Sequence, residues 1–243
     1  MTSALLAFSR FELELFFKTF IAVFFTYVAP MAIYATAIGS QPGDMAGAAA
    51  NFLPVVVGLI IVFLSLFTLA SQLVGYREMG FYKRILITRI NPIGIALSNA
   101  IRGYVLALIG LVVLTCEAWL VFGVPPHFNL LGALVSIGFA GGAMFLIGVM
   151  ISCFVKRSPT MFALSSVFSY ILVFFSGARP QVGHWLDWAS YVDQVSPSYH
   201  SLRLLQVGFS GSAPGPAILW SVVCLVLWMV LSLAVIRRRL SWM

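Results

Sequence analysis

One charged segment, residues 76–92 (YREMGFYKRILITRINP), contains the side chains best suited to chemistry or to partner binding. Its cations and its one carboxylate are Arg77, Lys83, Arg84, Arg89 and Glu78. A helix over 77–90 would have about four turns and would end before Pro92. It would place Glu78 in its first turn, where the helix dipole stabilises a carboxylate. Gly80 costs about 1 kcal/mol inside a helix, so its presence indicates a close approach to another group.

The known catalytic and cofactor motifs are not found in this sequence. It has no GxxxxGK[ST] segment, so we do not expect the chain to hold ATP phosphates in that way. It has neither HExxH nor CxxC, and His127, His184 and His200 fall in predicted outer loops. His184 and Asp187 are one helical turn apart, but two ligands make a weak metal site, and a solvated pair is the favoured interpretation. The sequence thus predicts no catalytic residue, no metal site and no cofactor bound by this chain.

The composition indicates a membrane protein. The 243 residues are 61% hydrophobic and only 9% charged, whereas soluble domains have about 25% charged residues. The formal net charge is +7, but the cations recur between apolar runs and do not form one patch with interleaved aromatic residues. This pattern argues against nucleic-acid binding.

Six apolar stretches are each long enough to cross a bilayer as a helix. We predict spans at about 19–38, 52–75, 93–122, 129–154, 159–177 and 216–236. With the N-terminus inside, nearly all loop cations lie on the inner side, and only Arg179 and Arg203 lie outside. Because Lys and Arg favour the cytoplasmic side, both termini are expected to be cytoplasmic.

The third predicted span contains two charged residues, Arg102 and Glu117. Arg102 lies near the inner end, where a long side chain can extend back to the headgroups. Glu117 is the only carboxylate within a span, and such a group is a functional candidate by default. It either lines a polar pathway or extends to the outer headgroups, and the second interpretation is preferred. Whether this span is one long tilted helix or a broken one stays open.

Two segments outside the spans have interfacial character. Residues 3–17 mix apolar and charged side chains, which favours a helix lying along the inner surface over an extension of the first span. Residues 178–215 are long and aromatic, and Trp185, Trp188 and Tyr191 recur at helical spacing. Trp and Tyr prefer the membrane interface, so short re-entrant or interfacial helices are favoured there over an ordinary loop.

The fourth span contains a GxxxG motif formed by Gly138 and Gly142. Small residues at this spacing let two helix backbones approach closely. The motif is compatible with packing inside the chain or between two copies.

In these features the sequence resembles the permease subunits of ABC-2 type ABC transporters. The family has an arginine-rich first inner loop with Glu-x-Gly, then Lys/Arg and leucines, then a proline; residues 77–86 and Pro92 fit that pattern. Gly177 to Pro180, and then Pro197-Ser198-Tyr199 followed by Arg203, are similar to the family's stretch between the last two spans, although the proline-to-arginine spacing is shorter.

The resemblance implies an all-α polytopic membrane protein that is a single domain over residues 1–243. It has six membrane helices, an interfacial N-terminal helix and outer re-entrant helices, with the outer gate or interface formed by Trp185, Trp188, Tyr191 and Tyr199. It also implies that 77–90 is a cytoplasmic coupling helix. The residues that would dock it on a separate ATPase subunit are Arg77, Glu78, Gly80, Lys83, Arg84 and Leu86. A solvated loop whose charge only fixes topology is the competing interpretation.

We therefore expect a permease subunit of an ATP-driven exporter in the cell membrane. Its partners would be two copies of an ABC ATP-binding subunit, which bind ATP and Mg, and a second permease copy or paralogue. The chain would not be an enzyme by itself. The expected substrate is a hydrophobic or amphipathic drug, antibiotic or peptide, with a lipid or lipid-linked glycan as the alternative. A nucleotide-independent membrane scaffold is the alternative of another class.

Overall fold

The structure, a computed structural model, describes residue 10 and residues 13–80, 92–174, 191–212 and 215–240. These residues are helical with short connections and contain no strand. Helix α1 covers residues 13–18. Helix α2 runs through Phe20–Val23, a π-helical segment Phe24–Val28 and Ala29–Gly39. The others are α3, Met45–Glu78, with a π-helical segment Leu64–Ala70; α4, Pro92–Phe122; α5, Leu130–Ser152; α6, Ser158–Phe174; α7, Pro197–Ser210; and α8, Pro216–Leu240.

Four helices in the described part of the chain are long and apolar enough to cross a membrane. They are Met45–Glu78, Ala100–Phe122, Leu130–Ser152 and Ile218–Arg239. They coincide with the second, third, fourth and sixth predicted spans. The first and fifth correspond to shorter apolar helices, Phe24–Gly39 and Ser158–Val173, so the count of six stays a prediction.

The helix boundaries follow local sequence signals. Helix α3 begins seven residues earlier than the predicted span at 52, because the Asp44 carboxylate accepts a hydrogen bond from Gly47 N at 2.9 Å and caps the helix. Asn129 caps α5 in the same way through Gly132 N at 3.1 Å. Helix α4 is continuous over 31 residues, which excludes the broken helix as an alternative for the third span.

Helices α3 and α5 form the centre of the described bundle, and α4, α7 and α8 pack around α5. Buried hydroxyl groups donate to backbone carbonyls of neighbouring helices: Tyr27 Oη to Leu106 O at 2.9 Å, and Tyr34 Oη to Ala49 O at 2.8 Å. In an apolar medium a polar side chain needs such an internal partner. These bonds join α2 to α4 and to α3.

The closest backbone approaches of α5 do not use the predicted GxxxG motif. A Cβ on Gly132 would lie 2.2 Å from Gly208 O in α7, and one on Gly148 would lie 2.5 Å from Ser65 O in α3. By contrast, Cβ atoms on Gly138 and Gly142 would meet only side chains, at 3.5 and 3.3 Å. Close helix packing within the chain therefore depends on Gly132 and Gly148.

Helix α7 lies in the stretch for which outer helices were predicted, and it is well packed. His200 is 1% exposed, with Nδ1 3.1 Å from Ser221 Oγ and Nε2 2.8 Å from Gln194 O. The expectation that all histidines lie in outer loops is therefore wrong for His200, because the amphipathic α7 turns this face against α3, α5 and α8. His127 does lie exposed in a loop, and His184 is outside the described residues.

Residue 10 and residues 13–17 of the N-terminal helix predicted over 3–17 are helical. Arg10 Nε lies 3.3 Å from Glu14 Oε1, in an exposed pair one turn apart. Residues 1–9, 11 and 12 lie outside the described residues. The position of this segment at a membrane surface stays a prediction.

Candidate functional site

The charged segment, residues 76–92, does not begin with a new helix at 77, as was predicted for residues 77–90. Arg77 and Glu78 form the last turn of α3, and a turn follows at 79–80. Gly80 has φ +66°, which stops the helix and favours glycine. The start of a separate helix at 77 is therefore wrong, and Glu78 does not lie in its first turn. Lys83, Arg84, Leu86 and the remainder of 81–90 lie outside the described residues.

The role of Gly80 is conformational. A Cβ built on Gly80 would have no atom of the described residues within 4 Å, so no close approach among them requires glycine at this position. Its left-handed backbone conformation does require it, since L-residues with a Cβ rarely adopt it. The cost of glycine in a helix is therefore no evidence of a close approach at Gly80, because Gly80 lies in a turn and not in a helix.

Arg77 binds the end of α5. Its Nη2 donates to Ser152 O and to Val155 O, the latter at 2.7 Å. The last carbonyls of a helix have no partner within the helix and lie at the negative end of its dipole. The half-buried guanidinium of Arg77 satisfies both conditions, and it holds the C-terminal end of α3 to the connection between α5 and α6.

Glu78 binds the start of α6. Its Oε2 accepts hydrogen bonds from Ser158 N at 3.0 Å and from Ser158 Oγ at 2.6 Å. The first helical bond of α6, from Met161 N to Arg157 O, makes Ser158 the first residue of the helix. Its N–H has no partner within α6, and a carboxylate is favourable there. Glu78 therefore lies at a helix start, but that of α6.

Adjacent residues of α3 thus hold two helix ends of opposite polarity. We call this group, Arg77, Glu78, Ser152, Val155 and Ser158, the helix-end junction. Next to the helix-end junction, buried apolar side chains of α3, of the α5–α6 connection and of α6 form a small cluster: Ala70, Val74, Val155 and Met161. The end of α3 is consequently fixed to the α5–α6 connection by directional polar bonds and by buried apolar contacts.

Cations surround the junction. Lys156 and Arg157 are exposed in the α5–α6 connection, and Arg237–Arg239 form the last turn of α8. The Arg239 guanidinium lies 5.0 Å from the ring centroid of Phe154, within the range of a cation–π contact. In the described part of the chain, this end of the bundle is therefore strongly basic and borders the charged segment.

The residues predicted for the outer gate are only partly placed. Trp185 and Trp188 lie outside the described residues. Tyr191 is 73% exposed. Tyr199 lies in α7, with the Arg203 guanidinium 6.0 Å from its ring centroid. Among the described residues the structure does not bring Tyr191 and Tyr199 into a common site.

The two charged residues of α4 are directed into the protein. Arg102 is 1% exposed, so it does not extend to the headgroups as predicted. Glu117 is 9% exposed, and its Oε2 has no hydrogen-bond partner among the described residues. This burial argues against the preferred interpretation, in which Glu117 extends to the outer headgroups.

Sequence reasoning missed the partners of Arg77 and Glu78. Ser152 and Val155 contribute only backbone carbonyls, for which no side-chain signal exists. Ser158 does have a signal, since Ser-Pro after two cations is a typical helix start and a helix start attracts a carboxylate. That signal does not say which carboxylate of the chain will bind there.

The described part of the chain is all-helical, and four of its helices have the length and apolarity of membrane spans, as in a multi-pass membrane protein. Residues 10–210 match the model of the family described as ABC-2 type transporter. The chain belongs to this family and is a permease component of an ABC transporter. Permeases of this family generally work with an ABC ATP-binding subunit. A search of curated proteins found no significant match.

Proposed function

We propose that this chain is the permease subunit of an ATP-driven exporter and that the helix-end junction couples it to a separate ATPase. The observation that carries the proposal is the position of Arg77 and Glu78. They are the last helical residues before the segment proposed to dock on the ATPase, and they bind the ends of two further helices.

The geometry supports a simple transmission of movement. Helix α3 has 34 residues and is about 50 Å long, which exceeds the ~30 Å hydrocarbon core. Its Glu78 end can therefore extend beyond the bilayer to meet a partner. A displacement of residues 81–90 by the ATPase would act first on Arg77 and Glu78. Arg77 binds the connection between α5 and α6, and Glu78 binds the start of α6. The three helices α3, α5 and α6 would therefore move together.

The remaining roles would belong to partner chains. Two ATP-binding subunits would bind ATP and Mg, and a second permease copy or paralogue would complete the translocation pathway. The exposed cations of Lys156, Arg157 and Arg237–Arg239 would lie on the cytoplasmic face of the cell membrane, in agreement with the positive-inside rule. Both termini would be cytoplasmic.

The proposed substrate is a hydrophobic or amphipathic molecule such as a drug, an antibiotic or a peptide. The buried side chains of the described residues are mostly apolar, and most of the buried polar ones are single hydroxyl groups of Ser and Thr, which favours an apolar or amphipathic substrate over a sugar. A lipid or lipid-linked glycan remains the second candidate, since its lipid part would suit the same interior.

The test is co-purification and hydrolysis. The chain is co-expressed with a candidate ATP-binding-cassette subunit from the same genome, purified through a tag on the permease and placed in lipid nanodiscs. We expect a stoichiometric ATPase and ATP hydrolysis that requires the permease. A chain that purifies without such a subunit, and stimulates no hydrolysis when it is added, would instead be the membrane scaffold named as the alternative.

A further inference from the structure

A cavity of about 350 Å³ lies at the Glu78 end of the bundle, between α1, α2, α3 and α6. This volume is typical of small-molecule sites, which are mostly apolar with a few polar groups. Five aromatic rings contribute to its lining, those of Phe16, Phe25, Phe67, Tyr76 and Phe162. It is separate from the helix-end junction, although Gly75 and Met79 of α3 also line it.

The aromatic wall of the cavity has a defined geometry. Phe25 and Phe67 are stacked, with ring centroids 5.5 Å apart and an interplanar angle of 4°. Phe162 packs edge-on against Phe67 at 5.2 Å and 73°. Both stacked residues lie in the π-helical segments, Phe24–Val28 and Leu64–Ala70. Such segments are rare and are frequently found at functional sites.

Two residues that line the cavity each have a buried polar atom without a hydrogen-bond partner among the described residues. Thr68 Oγ1 and Gln72 Oε1 are buried and accept or donate no hydrogen bond among the described residues. The two residues are four positions apart in α3 and thus lie on one face, one turn apart. Ser71, which also lines the cavity, differs because its Oγ donates to Leu66 O at 3.2 Å. A buried acceptor without a donor is costly, so these two atoms favour a ligand that supplies one.

We propose that this cavity binds a small aromatic amphiphile with at least one N–H or O–H donor. The ligand's ring would pack against Phe25, Phe67 and Phe162, and its donor would be shared between Thr68 Oγ1 and Gln72 Oε1. A saturated acyl chain is a poorer occupant, because it offers no donor and no ring for the aromatic wall. Binding here does not require the ATPase, so the inference stands apart from the proposed transport function.

The experiment uses the purified full-length chain in nanodiscs without any ATPase. The photoreactive probe is 4-aminobenzophenone, an aromatic ketone with an N–H donor, and labelled residues are mapped by mass spectrometry. Two competitors are compared: N-phenyl-1-naphthylamine, which has one N–H, and its N-methyl derivative, which has none. We expect labelling at the cavity residues of α3, including Met79, and stronger competition by the compound with the N–H.

Variants separate the hydrogen bond from the apolar contact. Thr68→Val should raise the apparent Kd of N-phenyl-1-naphthylamine by about fivefold to tenfold and leave that of the N-methyl derivative unchanged. Gln72→Met should act in the same way, and Ala22→Phe should abolish labelling by filling the cavity. Thr26→Val is the matched control, since Thr26 Oγ1 is also buried without a partner but does not line the cavity.

The results that would overturn the proposal are equally specific. Labelling spread over the exposed apolar face of α8, with no enrichment at the cavity, would mean that the probe only reports the membrane-facing surface. Equal competition by the two naphthylamines, or an equal effect of Thr68→Val and Thr26→Val, would remove the assigned hydrogen bonds. Each result is obtained without transport, so it leaves the proposed function untouched.

Discussion

Replacement of Gly132 by alanine tests how α5 and α7 are packed. The added Cβ would lie 2.2 Å from Gly208 O and 3.0 Å from Gly208 C. Carbon atoms in contact are normally about 3.5–4.0 Å apart, so the two helices would have to separate by roughly 1 Å. The obstacle is backbone, so it cannot be removed by a side-chain rotation.

The expected cost can be estimated from this clash. Overpacking costs about 1–3 kcal/mol, and a backbone obstacle favours the upper part of that range. Alanine recovers about 1 kcal/mol of helix propensity. The net destabilisation is therefore about 1–2 kcal/mol, which corresponds to a decrease of about 2–8 °C in Tm for a chain of this size. The assay is thermal unfolding of the purified chain in nanodiscs, followed by intrinsic Trp fluorescence.

Gly138→Ala is the matched control on the same helix. A Cβ there would meet only the side chain of Tyr104, at 3.5 Å, which is an ordinary contact. We expect Gly138→Ala to leave Tm unchanged or to raise it by up to about 4 °C through helix propensity. If Gly138→Ala lowered Tm as much as Gly132→Ala, the close packing of α5 would not depend on Gly132 in the way proposed, and the GxxxG motif would be a packing site as well.

Three further predictions concern topology, hydrolysis and Glu117. In a Cys-free background, Asp44→Cys and His127→Cys should react with an impermeant thiol reagent from outside, and Arg157→Cys should not; external labelling of Arg157→Cys would reverse the proposed orientation. The purified chain alone should hydrolyse no ATP, and robust hydrolysis by it would contradict a dependence on a separate ATPase. Glu117→Gln should keep or raise Tm, because a buried carboxylate without a partner for Oε2 is costly; a clear decrease would show that its charge is compensated in the fold.

The sequence predicted the helical elements well because apolar run length is a strong signal. The runs that became α3, α4, α5 and α8 are bounded by charges or turns and need no knowledge of the neighbouring helices. Boundaries were less accurate: the Asp44 cap extends α3 by several residues, and Gly80 ends it within the predicted coupling helix. Both corrections come from single residues whose conformation depends on the adjoining chain.

The partners of the charged residues could not be predicted in the same way. Glu78 and Ser158 are 80 positions apart, and their bond exists only because α3 and α6 pack side by side. The same holds for Arg102 and Glu117, whose burial depends on the face that α4 turns to its neighbours. A single sequence shows which side chains are present but not which of them pair. Several carboxylates of the chain could bind several different helix ends.

The most direct test of the proposed coupling is a double-mutant cycle at Glu78 and Ser158, measured as permease-stimulated ATP hydrolysis of the complete complex in nanodiscs. At equal amounts of complex, Glu78→Ala and Ser158→Ala should each lower the stimulation by roughly threefold or more, and the double variant should be no worse than either. Glu14→Ala, which removes an exposed carboxylate that pairs with Arg10, should behave as wild type. Wild-type stimulation in all the variants would contradict the account, and the helix-end junction would then serve only the packing of the chain.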